Sequence, residues 1–162
     1  MKLPRYLAVV PIFLLILAAA WHFLGNTQNS IKLAPVPFEM KVPTDLAKRI
    51  TVIDQASGKK PDPQKQAYLD GAKSVVQLSY QPIDGAKTIL MSAYYFSESD
   101  FAKTVVPDEV PRYGTKLITR DGMVLSVSGP QDSIFDPASQ DGKNITKLYG
   151  ILNDPNFYSF VK

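Results

Sequence analysis

The chain reads as an α+β domain: a mainly antiparallel sheet of five or six strands with two or three short helices, preceded by one N-terminal transmembrane helix. Three observations carry this expectation. Short apolar/polar alternations recur between proline- and glycine-rich breaks, one stretch near the C-terminus has helical spacing, and the first 25 residues hold an uncharged apolar run.

Tyr6 to Leu24 (YLAVVPIFLLILAAAWHFL) contains no Asp, Glu, Lys or Arg in 19 positions. At about 1.5 Å per residue, a helix of that length approaches the roughly 30 Å core of a bilayer. Lys2 and Arg5 precede the run, and the next basic residue is Lys32. That asymmetry keeps the N-terminus in the cytoplasm and puts the rest outside. A cleaved signal peptide is the competing reading, with Ala18-Ala19-Ala20 as its small-residue site. Apolar character continues through Trp21, Phe23 and Leu24, which favours an uncleaved anchor. Residues 1–25 are therefore expected to anchor the chain, 26–37 to form a linker, and 38–162 to fold as one extracytoplasmic domain.

Within that domain, Phe38 to Val42 alternates and stops at Pro43, as a half-buried strand would. Ile50, Val52 and Ile53 mark a second strand over 49–54. Residues 57–66 are polar with Pro61 and Pro63, hence loop, and Asp62-Pro63 suits a helical turn through Leu69. Val75 to Tyr80 alternates again. Thr88 to Phe96 is apolar on both sides, with Ile89, Met91, Ala93 and Tyr95 on one face and Leu90, Tyr94 and Phe96 on the other. That pattern suits a central strand. Ser97-Glu98-Ser99-Asp100 predicts a capped short helix with Phe101, Ala102 and Val105 inward. Thr115 to Ser128 predicts a hairpin turning at Asp121-Gly122. Ile145, Leu148, Tyr149 and Leu152 form the stripe of a last helix, with Asn144 as its cap. The tail Phe157-Tyr158-Ser159-Phe160 is expected to dock back on the body.

This order of elements, opening on Phe38-Glu39-Met40-Lys41-Val42-Pro43, resembles the PsbP-like family of α/β/α sandwiches over residues 36 to 160. Thr44-Asp45-Leu46 follows, where that pattern usually has an aromatic residue. The resemblance implies a non-enzymatic envelope or accessory protein that binds other proteins.

Composition removes several chemistries. With no cysteine there is no disulfide framework, thiol nucleophile or thiolate zinc site. The single histidine, His22, lies in the apolar run, so the outer domain has no imidazole for a Ser-His pair or a base near neutral pH. Ser57-Gly58-Lys59-Lys60 matches S-x-x-K, but in a polar turn rather than at a buried helix start. Asp132, Asp136, Asp141 and Asn144 surround Gly142 without the spacing of a calcium loop. Asn144-Ile145-Thr146 is a glycosylation sequon at a helix start. Lys48-Arg49 and Lys59-Lys60 come with no nucleic-acid-binding motif and read as solvated surface. Tyr94-Tyr95-Phe96 reads as core.

Of the 18 basic residues, Lys2 and Arg5 belong to the cytoplasmic side. The remaining 16 face 15 acidic ones, so the net +3 of the chain becomes +1 for the outer domain. The sequence thus predicts a single-pass protein of a bacterial-type inner membrane, held in the bilayer by residues 6–24. Its role is to bind a protein outside the cytoplasm as an envelope accessory, adaptor or immunity-type protein. No catalytic, cofactor or metal residues are assigned, and no nucleic acid is expected. The contact segments expected are 57–66, 131–144 and the aromatic tail. Two alternatives stay open: a small hydrolase using carboxylates or a Ser-Lys pair, and a calcium- or small-ligand-binding module.

Overall fold

The computed structural model describes residues 27–55, 71–129 and 135–161. The expected anchor over 6–24, His22, the 57–66 loop with Ser57 and Lys60, the helical turn through Leu69, and Asp132 lie outside the described residues. Among the described residues, no helix is long and apolar enough to cross a membrane.

The architecture is α+β, with two antiparallel sheets in place of the single sheet expected from sequence. The smaller sheet begins with β1 (Gln28–Lys32) and β2 (Phe38–Pro43), paired from Gln28 opposite Pro43 to Lys32 opposite Glu39. Residues 28–32 fall inside the stretch expected as a linker. They form an edge strand that buries little, so the ladder holds it without any alternating pattern to announce it. The turn that follows also belongs to the fold. Leu33 and Val36 are buried, and Leu33 N–H donates to the Phe38 carbonyl at 2.8 Å. β8 (Tyr158–Phe160) pairs with the other side of β2, which places Phe38 edge-on to Phe160 at 5.5 Å. The short helix α1 (Thr44–Ala47), unforeseen in the sequence, joins this sheet to the next and buries Leu46.

The larger sheet has the order β3-β4-β5-β7-β6, with β3 at Ile50–Asp54, β4 at Ser74–Tyr80, β5 at Thr88–Ser97, β6 at Thr115–Arg120 and β7 at Met123–Ser128. β5 is the middle strand, as its two apolar faces require. Its expected face assignment fails at one end. The β4–β5 register shifts between Leu78 and Ser79, so Met91 faces Leu78, Ile89 faces Ser79, and Leu90 is the extra residue. The bulge breaks the alternation: Leu90 and Met91 both enter the main core, and Ile89 is 52% exposed. The β6–β7 hairpin turns where expected. Asp121 (φ 51°) and Gly122 (φ 72°) both take the left-handed conformation that a two-residue type I′ turn needs.

One face of the larger sheet packs Val76, Leu78, Met91, Ala93 and Leu125 against Phe38, Met40 and Val42 of the smaller sheet and against helix α3 (Gln140–Leu152). Ile145, Leu148 and Leu152 of the expected stripe are buried, joined by Ile151, with Tyr149 half-buried. Ser139 caps α3, its Oγ accepting from Gly142 N–H at 2.9 Å, so the helix starts a full turn before the expected cap at Asn144. At the other end, Tyr158 Oη donates to the Leu152 carbonyl at 2.9 Å and satisfies one of the acceptors left open there.

The opposite face of the larger sheet carries a separate aromatic cluster: Val75, Tyr94, Phe96, Phe101, Tyr113 and Val124. Helix α2 (Glu98–Thr104) closes over it. Ser97 Oγ accepts from Asp100 N–H at 3.1 Å, as the sequence indicated. Of the three side chains expected to point inward, only Phe101 does. Ala102 and Val105 are exposed, because seven residues give the helix a single apolar contact row.

Candidate functional site

Beyond α2 the chain reads Val105-Val106-Pro107-Asp108-Glu109-Val110-Pro111-Arg112-Tyr113-Gly114 before entering β6. The two prolines remove backbone donors and fix φ, so neither helix nor sheet continues. Asp108 sits at φ 65°, where an aspartate side chain is better tolerated than most. Both ends of the loop are tied down. Thr104 Oγ1 donates to the Phe101 carbonyl at 2.7 Å, and Tyr113 is buried edge-on to Tyr94 at 5.2 Å and Phe96 at 5.4 Å. Gly114 (φ 71°) then passes directly over the Val127 carbonyl, leaving no room for a β-carbon.

Held this way, the loop presents three valines to solvent. Val105 and Val106 are each 49% exposed and Val110 is 81% exposed. Val106 and Val110 line an open groove of about 600 Å³ between α2 and the loop, together with Gly71, Asp100, Lys103 and Arg112. Its charges are of both signs. Lys103 Nζ donates to Asp100 at 2.8 Å; that bond and the one from Ser97 hold the Asp100 carboxyl below the usual carboxylate range. The Arg112 guanidinium lies over the Tyr113 ring, 5.3 Å from its centre. An ionised Asp100 is no general acid at neutral pH, so the groove offers an apolar lip and a polar rim.

Of the contact segments expected from sequence, 57–66 lies outside the described residues, and the described parts of the other two carry bonds within the fold. In the 131–144 segment, Asp141 accepts from Tyr80 Oη at 2.6 Å and from Ile83 N–H at 3.0 Å, and Asn144 Nδ2 donates to Tyr80 Oη at 2.9 Å. Burial, and then the bond to Asp141, push the Tyr80 phenol up from its ordinary value. Asp136 accepts from Ala138 N–H through its side chain at 2.9 Å and from Ser139 Oγ through its carbonyl at 2.6 Å. These carboxylates brace the start of α3, and among the described residues no three metal-ligating side chains converge. The acceptor nitrogen of the sequon is the one bonded to Tyr80, inside a helix. The aromatic tail divides between a 3-10 turn ending at Phe157 and strand β8. Tyr158 is buried, Phe160 is half-buried, and Arg120 stacks over Phe160 at 4.8 Å. Of the basic pair at 48–49, Arg49 donates to the Gln81 carbonyl at 3.2 Å.

The valine loop escaped sequence reasoning because it has neither period. Its signal was three β-branched residues within six positions, broken by two prolines, where no strand or helix can use them. Fold and groove together define an α+β domain with a fixed, partly apolar surface loop. Comparison of the chain with protein-family models, with curated proteins and with solved structures returns no match.

Proposed function

We propose that the chain is a membrane-anchored, extracytoplasmic protein-binding module, an envelope accessory, adaptor or immunity-type protein, that engages its partner through the valine loop and the adjoining groove. Residues 6–24 are the anchor, with the N-terminus in the cytoplasm. The observation that carries the reading is the exposure of Val105, Val106 and Val110 on a loop fixed at both ends. Exposed apolar residues scattered singly are ordinary, but Val106 and Val110 share one groove lip, with the exposed Val105 next to Val106 in the chain, and a partner can cover them together. Fully burying an exposed valine is worth about 1.5–3 kcal/mol, of which Val110, at 81% exposure, can give the most and the half-exposed Val106 a part, so the lip supplies the apolar centre of an interface. Asp100, Lys103 and Glu109 supply its polar rim. The accessory role implied by the resemblance to PsbP-like proteins is in keeping with this.

The test is a charge placed in the lip. Val106→Asp with Val110→Asp is expected to leave the unfolding free energy unchanged within about 0.5 kcal/mol, because both side chains already face solvent. The same variant is expected to lose the partner that the unaltered chain retains after mild detergent extraction of membranes. Retention of that partner by the folded variant would refute the proposal.

A further inference from the structure

We infer that the surface around Thr27 faces the membrane and rests on the phosphate layer of the bilayer. The inference builds on the reading of residues 6–24 as the anchor, and adds the orientation of the domain above it. The expected linker over 26–37 would have let the domain swing freely, yet β1 already begins at Gln28. Thr27 is pinned as well, its carbonyl accepting from Thr44 N–H at 3.1 Å and from Thr44 Oγ1 at 2.9 Å. Only residues 25–27 separate Leu24 from β1, and fully extended they reach about 10 Å. That is close to the depth of one headgroup layer, so the anchor seats the domain on the interface.

The surface at that point has matching chemistry. A shallow groove of about 400 Å³ runs between Thr27, Pro43 and the outer side of α3, lined further by Lys147, Gly150, Ile151 and Phe157. Lys143 and Lys147 lie one turn apart on the exposed side of α3 and can meet lipid phosphate. Phe157 is half-buried, an aromatic suited to interfacial depth. Two acids lie close in the chain to the lining: the exposed Asp45, beside Thr44, and Asp154, whose Oδ1 is taken up by Asn156 N–H at 2.9 Å. This groove belongs to the main-core side of the larger sheet, whereas the valine loop lies on the other. Seating the first on the bilayer turns the second away from it, toward the extracytoplasmic space.

The chain has no cysteine, and a β-carbon at Gly150 meets nothing within 4 Å, so single labels are straightforward. Full-length Gly150→Cys and Val110→Cys chains, carrying an environment-sensitive fluorophore, are reconstituted into phosphatidylcholine–phosphatidylglycerol vesicles that contain a headgroup-level quenching lipid. Quenching several-fold stronger at position 150 than at 110, reduced by adding Lys147→Glu, is the expected result. Equal quenching in chains that float with the vesicles would overturn the docking surface and leave the anchor standing. Chains that fail to float would overturn the anchor, and the docking surface with it. Ready disulfide crosslinking between two unlabelled Gly150→Cys chains, with no quenching of the labelled ones, would put a second copy on this surface and also overturn the inference.

Discussion

Tyr80 Oη and Asp141 are joined by a 2.6 Å hydrogen bond that ties the end of β4 to the first turn of α3, across 61 residues of chain. Asn144 donates to the same phenol oxygen at 2.9 Å, and Asp141 also holds Ile83 N–H at 3.0 Å. Tyr80→Phe removes the centre of this network while keeping the ring packed edge-on to Phe135. The expected cost is about 1–3 kcal/mol, since a half-buried amide and carboxylate lose a partner in a site that water enters poorly. The midpoint of urea unfolding checks it.

The capping assignment gives a second prediction. Ser139→Ala should destabilise by about 1 kcal/mol, the usual cost of losing an N-cap oxygen. The loss should appear first as fraying of Gln140 to Lys143, read by amide exchange. Asn144→Ala should leave that exchange unchanged and instead act through Tyr80. The reverse pattern would restore Asn144 as the cap.

Much of the fold was legible where burial imposes a period. The alternation of Phe38 to Val42, the two-faced run of β5 and the stripe of α3 each correspond to a face that meets a core, while the exposed Asp121-Gly122 turn was legible from residue types that tolerate positive φ. What escaped was set by backbone pairing or by distant partners. β1 is polar because it is an edge, and its existence depends on β2 rather than on its own residues. The exchange of Ile89 for Leu90 in the core follows from a bulge set by the partner strand, which no local pattern encodes. Asp141 and Asn144 suggested an ion site because carboxamide and carboxylate serve caps, braces and metals alike. Only the position of Tyr80, far away in sequence, separates those uses here.

Glycine placement yields a third prediction. Gly114 and Gly122 share nearly the same positive φ, at 71° and 72°. Only at Gly114 would a methyl collide with backbone, the Val127 carbonyl, whereas at Gly122 it meets nothing within 4 Å. Gly122→Ala should therefore cost about 1–2 kcal/mol, the left-handed penalty alone. Gly114→Ala should cost more, and should release Tyr113 and the valine loop that leads into it. Near-ultraviolet circular dichroism of the aromatic cluster, with thermal midpoints, separates the two.

Alkaline pH gives the fourth. Burial pushes the Tyr158 phenol well above its ordinary value, and Tyr80 is raised mainly by burial too. Both are neutral in the folded and unfolded chains below about pH 10, so their contribution is fully present there. Above that pH the unfolded chain ionises first, and stability falls as pH rises toward the folded values. Absorbance at the phenolate band should show these tyrosines titrating together with unfolding, after the more exposed ones. Tyr158→Phe should weaken the alkaline loss while costing about 1 kcal/mol at neutral pH through its bond to Leu152.

Val110, the most exposed of the three valines, is where the proposed protein contact outside the cytoplasm is tested most directly. Ile83 is the natural control, being 51% exposed and apolar but remote from the lip. A photoreactive residue is placed at Val110 or at Ile83 in the full-length chain, and living cells are irradiated. One discrete protein adduct in the membrane fraction is expected from position 110, absent from position 83 and lost when Val106→Asp is added. No adduct at 110, or the same adducts from both positions, would contradict the proposed contact.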